Sequence, residues 1–297
     1  MVRRLSSVWL VLGLIAFPVT INAVCLSGVL CGINTIASSH KRFWGTCVHN
    51  SVTNGQGSPY NLLALNFAEF GMVTPIKVFE MSTIRPTYGS FDFRIPDNFV
   101  SYWKSRAQAS LWIHTLLPTT GLPAWLTGSS WTKAQMSTII QDYVFNVAAK
   151  YRGQIYAWNV VSEIFNDDGT WRRNTFYNYL SSEYVQIALQ RARSADPNAK
   201  LYIEEYGVEV ANVKSDALFN LAQDLKNKNV PLDGIAFEGH FNTPDIPYPV
   251  PMMTNAQRFE NLDLDWAFTQ LGVRIVNGGS NLIRQAEDYY SVLIACM

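Results

Sequence analysis

From about residue 40 onward, short apolar runs typical of β-strands alternate with longer segments in which apolar residues recur every three or four positions. The seven strand-like runs lie at residues 42–48, 72–80, 109–117, 155–163, 200–206, 234–241 and 272–277. The amphipathic segments between them predict helices over residues 134–150, 176–193, 215–229, 255–271 and 284–297. Strands that alternate with helices indicate a parallel sheet with helical crossovers.

This alternation predicts an α/β protein with the (β/α)₈ TIM-barrel fold that lacks the eighth strand and helix. The alternative is an open doubly wound sheet, which is disfavoured because no G-x-G-x-x-G motif follows the first strand. No linker or low-complexity stretch divides the chain. Residues 24–297 are therefore predicted to form one barrel domain.

The N-terminus has the features of a secretory signal peptide. Arg3 and Arg4 precede an apolar run over residues 8–17, which Pro18 ends, and Ala23 provides a small residue for cleavage. The apolar run is too short to span about 30 Å of hydrocarbon. We therefore predict a signal peptide at residues 1–23 and a secreted, extracellular protein without a membrane partner.

Charge and composition narrow the choice of partners. The 297 residues include 23 Lys and Arg against 23 Asp and Glu, and this zero net charge argues against a nucleic-acid partner. Four scattered histidines and four cysteines without a C-x-x-C pair give no metal site, and no cofactor is expected. The cysteines allow three pairings, among which the sequence does not choose. We expect a monomer.

Carboxylates at the ends of predicted strands are the candidates for chemistry. Glu163 ends one strand, and Glu238 lies two residues before His240 on another. Glycoside hydrolysis needs two such carboxylates on either side of the scissile bond. The alternatives are structural: a solvated Glu163, a Glu238 paired with Lys77, and a His240 satisfied by the backbone. Of the two glutamates, Glu163 is predicted to be the more desolvated, because it follows Trp158.

A resemblance to a known family becomes specific at residues 158–163. This segment, WNVVSE, resembles the acid/base strand W-D-V-V-N-E of glycoside hydrolase family 10, the endo-β-1,4-xylanases. Further collinear matches lie at residues 70–75, 89–93, 113–116, 122–125, 195–203, 232–235 and 285–290. The resemblance implies retaining hydrolysis of internal β-1,4-xylosidic bonds, xylan-like saccharides as partners, and Glu163 as the acid/base.

The resemblance also implies roles for other residues. Support roles fall to His240 and Asn159, and the residues expected to bind substrate are His114, Trp125, Trp158, Tyr206, Lys77 and Glu80. Several of these depart from the family pattern. Lys77 and Glu80 replace the ends of N-x-x-K, Asn159 replaces an aspartate, and Glu238 replaces the glutamine of Q-x-H.

The largest departure concerns the nucleophile, which the family has in I-T-E-L-D after a Leu-Gly-x-x stretch. Aligned on Leu271 and Gly272, this chain has Gly279 at that position. We therefore expect xylan hydrolysis to be weak or lost. The alternatives are a non-catalytic carbohydrate-binding or decoy barrel, and an enzyme with altered chemistry in which Glu238 is the second carboxylate. The missing eighth strand favours an incomplete gene model, whereas the scattered substitutions favour natural loss of hydrolysis.

Overall fold

The computed structural model describes residues 32–54, 63–106, 109–276 and 281–297. The predicted signal peptide and Gly279 lie outside the described residues. The strands are β1 Gly45–His49, β2 Met72–Ile76, β3 Ser110–Ile113, β4 Ala157–Ser162, β5 Lys200–Glu205, β6 Gly234–Phe237, β7 His240–Thr243, β8 Asp265–Phe268 and β9 Gly272–Ile275. The helices are α1 Ile33–Ser39, α2 Met81–Ile84, α3 Arg94–Arg106, α4 Ala124–Thr127, α5 Lys133–Lys150, α6 Thr175–Leu180, α7 Glu183–Ala195, α8 Val213–Asn227, α9 Pro249–Glu260 and α10 Leu282–Cys296.

Seven of the strands form one curled parallel sheet in the order β1-β2-β3-β4-β5-β6-β8. Each neighbouring pair is parallel, and helices connect successive strands. This confirms a TIM-type barrel in which the described residues provide seven strands and no eighth. The carboxyl ends of all seven strands lie at the same end of the sheet, which is where barrels of this type have their sites.

The two faces of the sheet pack differently. One buried layer takes one residue from each of five strands: Met72, Trp112, Ala157, Tyr202 and Ala236. The rings of Trp112 and Tyr202 lie 4.4 Å apart at their centroids. This layer explains Gly234, since a Cβ there would lie 2.2 Å from Cε1 of Tyr202. The opposite face belongs to the main apolar core, which the helices cover.

Helix α5 shows how local sequence and packing agree. It begins with a capping box, in which Thr132 and Gln135 satisfy each other's backbone N–H groups. Its buried side chains include Met136, Ile140 and Tyr143, at the spacing that keeps one helix face toward the core. The helix also contacts α7. Amphipathic spacing thus fixes which face of the helix covers the sheet.

The structure corrects the predicted seventh strand. Residues 272–277 were expected to form it and residues 255–271 to form a helix, but α9 ends at Glu260 and β8 pairs with β6. Apolar residues alternate with aspartates from Leu262 to Trp266, which is the period of a strand. Strand β9 instead pairs with β7 in a separate two-stranded parallel sheet.

Two further predicted elements are divided in the structure. The expected strand at 234–241 becomes β6 and β7, because Gly239 between them has a φ of +75°. A Cβ at Gly239 would lie 2.7 Å from a ring carbon of Phe268, so glycine is required there on both counts. The expected helix at 176–193 becomes α6 and α7, separated by Ser181 with a φ of +51°.

The last helix lies close to the first strand. Helix α10 packs on α9 and β9, and Arg42, just before β1, donates a hydrogen bond from Nε to the carbonyl oxygen of Cys296 (3.4 Å). Of the helices that the structure describes, none is long and apolar enough to cross a bilayer.

Candidate functional site

Glu163 lies at the carboxyl end of β4 in a backbone conformation that is rare for residues with a side chain. Its φ is +50°, and its N–H donates to the carbonyl oxygen of Glu204 (3.0 Å). Its carboxylate forms an ion pair with Arg172 (2.9 Å), and Arg172 also donates to the Tyr206 hydroxyl (2.9 Å). We refer to Glu163, Arg172 and Tyr206 as the Glu163 wall. About a third of the Glu163 side chain is exposed (33%), so a ligand can reach it.

Glu204, at the carboxyl end of β5, is completely buried. One carboxylate oxygen accepts a hydrogen bond from the Thr269 hydroxyl (2.6 Å), and the other forms an ion pair with Nδ1 of His114. The side-chain amide of Gln270 also hydrogen-bonds to this carboxylate. Glu204 therefore ties together the ends of the third, fifth and seventh strands of the sheet. With both oxygens engaged and no exposed surface, it is unsuited to attack a substrate.

The ionisation of Glu204 follows from these partners. Burial by itself would raise its pKa, but the His114 imidazolium and the two donors after β8 bring the pKa below its ordinary value. Burial by itself would lower the pKa of His114, but the Glu204 carboxylate raises it, with smaller contributions from Glu238 and Glu163. The two side chains therefore form a charged ion pair inside the barrel mouth.

Glu238 follows β6 directly and is 4% exposed. Oε2 lies 3.0 Å from Nε2 of His240, whereas Oε1 is buried and has no hydrogen-bond partner. Burial raises the pKa of Glu238, the hydrogen bond with His240 opposes this, and the charges of Glu204 and Glu163 raise the pKa further. The charges of Glu204 and Glu163 therefore add to the effect of burial and disfavour ionisation of Glu238. We refer to Glu204, Glu238 and Gln270 as the Glu204 wall.

Two expectations about Glu238 are wrong. Its ion-pair partner is His240, and no ion pair joins it to Lys77 among the residues that the structure describes. Glu238 is also the more desolvated member of the pair with Glu163: 5% of its side chain is exposed against 33%. Glu163 follows the end of β4 beside the partly exposed Arg172, whereas Glu238 lies in the short connection between β6 and β7, where its side chain is buried.

Gln270 is a further candidate, which the structure reveals beside Glu204. It comes two residues after the end of β8, which is the seventh strand of the sheet, and it contacts Glu204. A signal exists in the sequence, because Thr269, Gln270 and Leu271 match T-E-L of the family motif I-T-E-L-D, with an amide in place of the carboxylate. Placing the seventh strand at 272–277 hides this match.

A second buried glutamate lies next to Glu204 on the other face of β5. Glu205 forms an ion pair with Lys214 (2.9 Å) and accepts hydrogen bonds from the N–H groups of Phe165 (3.0 Å) and Tyr206 (3.2 Å). Burial raises its pKa to about 7 despite the nearby Lys214. The Lys214 ammonium also lies 3.0 Å from the ring centroid of Tyr206. One face of the Tyr206 ring is therefore covered and unavailable for stacking on a sugar.

Trp158 does not lie in the cleft, and its expected role in substrate binding is wrong. It is fully buried, donates from Nε1 to Asp196 (3.1 Å), and packs edge-on against Phe79. Strand alternation explains this, because Trp158 points to the helix layer while its neighbour Asn159 points into the barrel. Asn159 accepts a hydrogen bond from the Trp112 indole (2.8 Å) and supports the interior layer.

The other residues expected to bind substrate follow the ends of β2 and β3. Trp125 is half-buried, donates to the Arg85 carbonyl oxygen (2.8 Å), and packs against Tyr88 at 5.3 Å between ring centroids. Lys77 is exposed, and Glu80 is half-buried with its carboxyl group against Gly121. Tyr88 is half-exposed (50%) and is an additional aromatic that the sequence motifs do not indicate.

The barrel mouth has carboxylates and imidazoles but no metal centre in the described part of the chain. Within those ranges, no group of three or more His, Cys, Asp or Glu side chains is arranged to hold a metal ion. The accessible acid–base groups at this mouth include Glu163, with its Arg172 partner, and His240, whereas the unpartnered oxygen of Glu238 is buried. A parallel β/α barrel with carboxylates at the ends of neighbouring strands is an arrangement found in glycoside hydrolases.

Comparison with known proteins identifies the family. The model of glycosyl hydrolase family 10 matches residues 32–297, and the chain belongs to this family. Endo-1,4-beta-xylanase C of Phanerodontia chrysosporium is 38% identical over 268 residues, covering 89% of this chain and 66% of the relative. An endo-1,4-beta-xylanase of Agaricus bisporus is 34% identical, covering 90% and 79%. The chain spans 66% and 64% of the length of two Phanerodontia xylanases that it matches.

Solved structures give the same result. A xylanase of Thermotoga petrophila in complex with xylobiose has a TM-score of 0.83 and 28% identity, covering 89% of this chain and 81% of that one. A xylanase of Bispora sp. MEY-1 with xylobiose has a TM-score of 0.84 and 29% identity, covering 89% and 83%. These likenesses agree with the barrel and with the family.

Proposed function

We propose that this chain binds xylan-like β-1,4-linked saccharides at the mouth of its barrel and hydrolyses them weakly or not at all. Family membership and the likeness to two xylanase structures with bound xylobiose support the saccharide as partner. We also propose that residues 1–23 direct a single-domain, monomeric protein out of the cell. N-terminal sequencing and the solution mass of the protein from culture medium test that part.

The observation that supports lost hydrolysis is the amide at Gln270. Retaining glycosidases need a second carboxylate about 5–5.5 Å from the acid/base to form the covalent intermediate. We assign Gln270 to the nucleophile position, because it follows the seventh strand within a T-Q-L sequence that matches the family's T-E-L. A neutral amide does not attack the anomeric carbon. Glu163 remains as the acid/base without a partner for this route.

The neighbouring carboxylate cannot take over the role. Glu204 is fully buried, and His114 and Thr269 occupy its two oxygens. Compared with a site that has a nucleophilic glutamate at 270, the negative charge lies two strands away, in the buried interior at the end of β5. Substrate positioning can survive this exchange, whereas nucleophilic attack cannot.

A second candidate function is hydrolysis by altered chemistry. In this version Glu238 supplies the second carboxylate, and the observation that favours it is the unpartnered oxygen Oε1. An inverting route needs the two carboxyl groups about 6.5–9.5 Å apart with water between them. Glu238→Gln would abolish any residual activity of this kind.

The decisive experiment restores a carboxylate at position 270 and removes the one at position 204. Gln270→Glu alone would place two carboxylates against each other, so it is combined with Glu204→Gln. We expect the double variant to gain about 10³-fold or more in reducing-sugar release from xylan over the native chain, by analogy with removal of a nucleophile in another hydrolase. Adding Glu163→Gln to the double variant should return the rate to the native level.

Two outcomes would contradict the proposal. One is a native chain that already hydrolyses xylan at a rate that the double variant does not increase. The other is calorimetric titration with xylobiose and xylotriose that shows no binding at concentrations of several millimolar, the weakest affinity expected for a functional cleft.

A further inference from the structure

A cavity outside the barrel mouth is lined by the loop that follows β4 and by helix α6. Its volume of about 590 Å³ lies within the range of about 300–1,000 Å³ that is typical of small-ligand sites. We refer to it as the Trp171 cavity, and its lining residues are Asn166, Thr170, Trp171, Arg173 and Tyr177. None of them belongs to the Glu163 wall.

The backbone of the loop separates this cavity from the cleft. Trp171 pairs with Phe165 in an antiparallel bridge, so the chain is extended there and successive side chains point to opposite sides. Arg172 points to Glu163 and donates to its carboxylate (2.9 Å). Its neighbours Trp171 and Arg173 line the cavity instead. The cavity therefore lies behind the Glu163 wall.

Two aromatic rings form the apolar part of the lining. The rings of Trp171 and Tyr177 stack with their centroids 5.4 Å apart and an angle of 20° between their planes. Phe165 packs against Trp171 at 4.7 Å between centroids. Both lining rings pack on the main core on one side and are only half-buried, so part of each ring surface remains open. Such fixed rings provide a rigid apolar surface, which suits the C–H face of a pyranose.

Polar groups beside the rings are available to a ligand. Arg173 is exposed and forms no ion pair with the residues that the structure describes. Its planar guanidinium can donate to two neighbouring hydroxyl groups at once. The Asn166 amide donates through Nδ2 to the Thr170 hydroxyl (3.0 Å), which leaves its oxygen as an acceptor. Sugar hydroxyls both donate and accept, and the cavity offers partners for both.

The charges beside the cavity favour an uncharged ligand. Asp168 accepts hydrogen bonds from the Thr170 hydroxyl (2.6 Å) and N–H (2.9 Å), so a carboxylate lies next to the lining. These bonds hold the pKa of Asp168 below its ordinary value and keep it ionised at neutral pH. Its negative charge offsets the positive charge of Arg173, so the cavity does not select an anion.

We propose that the Trp171 cavity is a second saccharide-binding site, which takes an uncharged pyranose of a xylan-like chain outside the cleft. The sugar ring would pack on the open surfaces of Trp171 and Tyr177, and its hydroxyls would bond to Arg173 and Asn166. The inference rests on the proposed function for the identity of the sugar, whereas the position of the site rests on the cavity. A second contact on a long chain raises the effective concentration of that chain at the cleft.

The test follows single side chains by NMR while the full chain is titrated with xylotriose. The indole N–H signal of Trp171, assigned from its absence in Trp171→Phe, reports on the cavity, and the ring signals of His240 report on the barrel mouth. We expect both to move, with different dissociation constants. The indole of Trp266, which donates to Glu260 (2.8 Å), is the internal control and should not respond.

Arg173→Gln then separates the two sites. Arg173 is exposed, so the variant should fold, and the lost charged donor should weaken the dissociation constant from Trp171 at least about threefold. The constant from His240 should stay unchanged. Arg94→Gln removes another exposed arginine (89%) and should change neither constant.

The outcomes distinguish the two sites. A Trp171 signal that stays in place while His240 responds would overturn this inference alone. Equal dissociation constants that Arg173→Gln changes together, or leaves alone, would also overturn it, because Trp171 would then only sense binding in the cleft. A response of Trp171 without one of His240 would support the inference and contradict binding at the mouth. No response from either would contradict both.

Discussion

The two walls of the cleft differ in burial and in what holds their charged groups. In the Glu163 wall, the carboxylate and Arg172 are 33% and 28% exposed, so water screens their attraction. In the Glu204 wall, Glu204 is fully buried and Glu238 nearly so, and their charges depend on two histidines. The accessible wall is suited to reacting with a ligand. The buried wall is suited to holding strand ends in place, and a nucleophile is absent from it.

The largest expected difference between the walls is in stability. Glu204→Ala leaves the charged His114 without its partner and removes the tie to Thr269. Breaking a buried ion pair costs about 3–5 kcal/mol, and we expect the lower end because His114 is 35% exposed. Denaturant unfolding measures this loss.

The matched control is Glu163→Ala in the other wall. Its pair with Arg172 is exposed enough that the loss of unfolding free energy should be about 1 kcal/mol or less. Equal losses for the two variants would show that the walls do not differ in their contribution to folding.

The next expected effect is a pH dependence of the free energy of unfolding, which we attribute to Glu205 on the outer face of β5. The pKa of Glu205 is raised from 4.5 to about 7 in the folded protein, so the folded state favours its protonated form. Its contribution to stability is therefore fully present below about pH 4.5 and is lost as pH rises through about 7. The free energy of unfolding should fall by up to about 3 kcal/mol over that range on this account.

Glu205→Gln should remove this part of the pH dependence. The measurement is urea unfolding of the native and variant chains at several pH values between about 4.5 and 8. Glu183→Gln, which changes an exposed pair with Lys133, should follow the native curve. A variant curve parallel to the native one would mean that Lys214 keeps Glu205 ionised throughout.

The smallest expected change in the free energy of unfolding is that of a substitution at Glu238. Glu238→Gln removes a charge that Glu204 and Glu163 repel, and its amide can still hydrogen-bond to His240. Thermal unfolding should show a change within about 1 kcal/mol, in the stabilising direction. A loss above about 2 kcal/mol would mean that the charged bond to His240 outweighs the repulsion, and that this part of the wall contributes to folding as Glu204 does.

Much of the fold could be predicted because the pattern of apolar residues repeats. Six of the seven expected strands have counterparts in the barrel sheet, and Glu163 lies at the carboxyl end of its strand as expected. The seventh strand could not be predicted in the same way. Its alternating residues, 262–266, follow a helix closely, and a four-residue strand is too short to stand out from the helical period.

By itself, the sequence determined the parallel barrel, the family resemblance and the position of Glu163, since these depend on local periodicity and on contiguous motifs. Only the tertiary structure decided that Trp158 faces the helix layer, that Glu204 bonds to Thr269 across 65 residues, and that Gln270 lies just after the seventh strand. The physical reason is that hydrogen bonding and burial between strand ends depend on which strands are neighbours. That information lies in the pairing of β6 with β8 and not in any single segment.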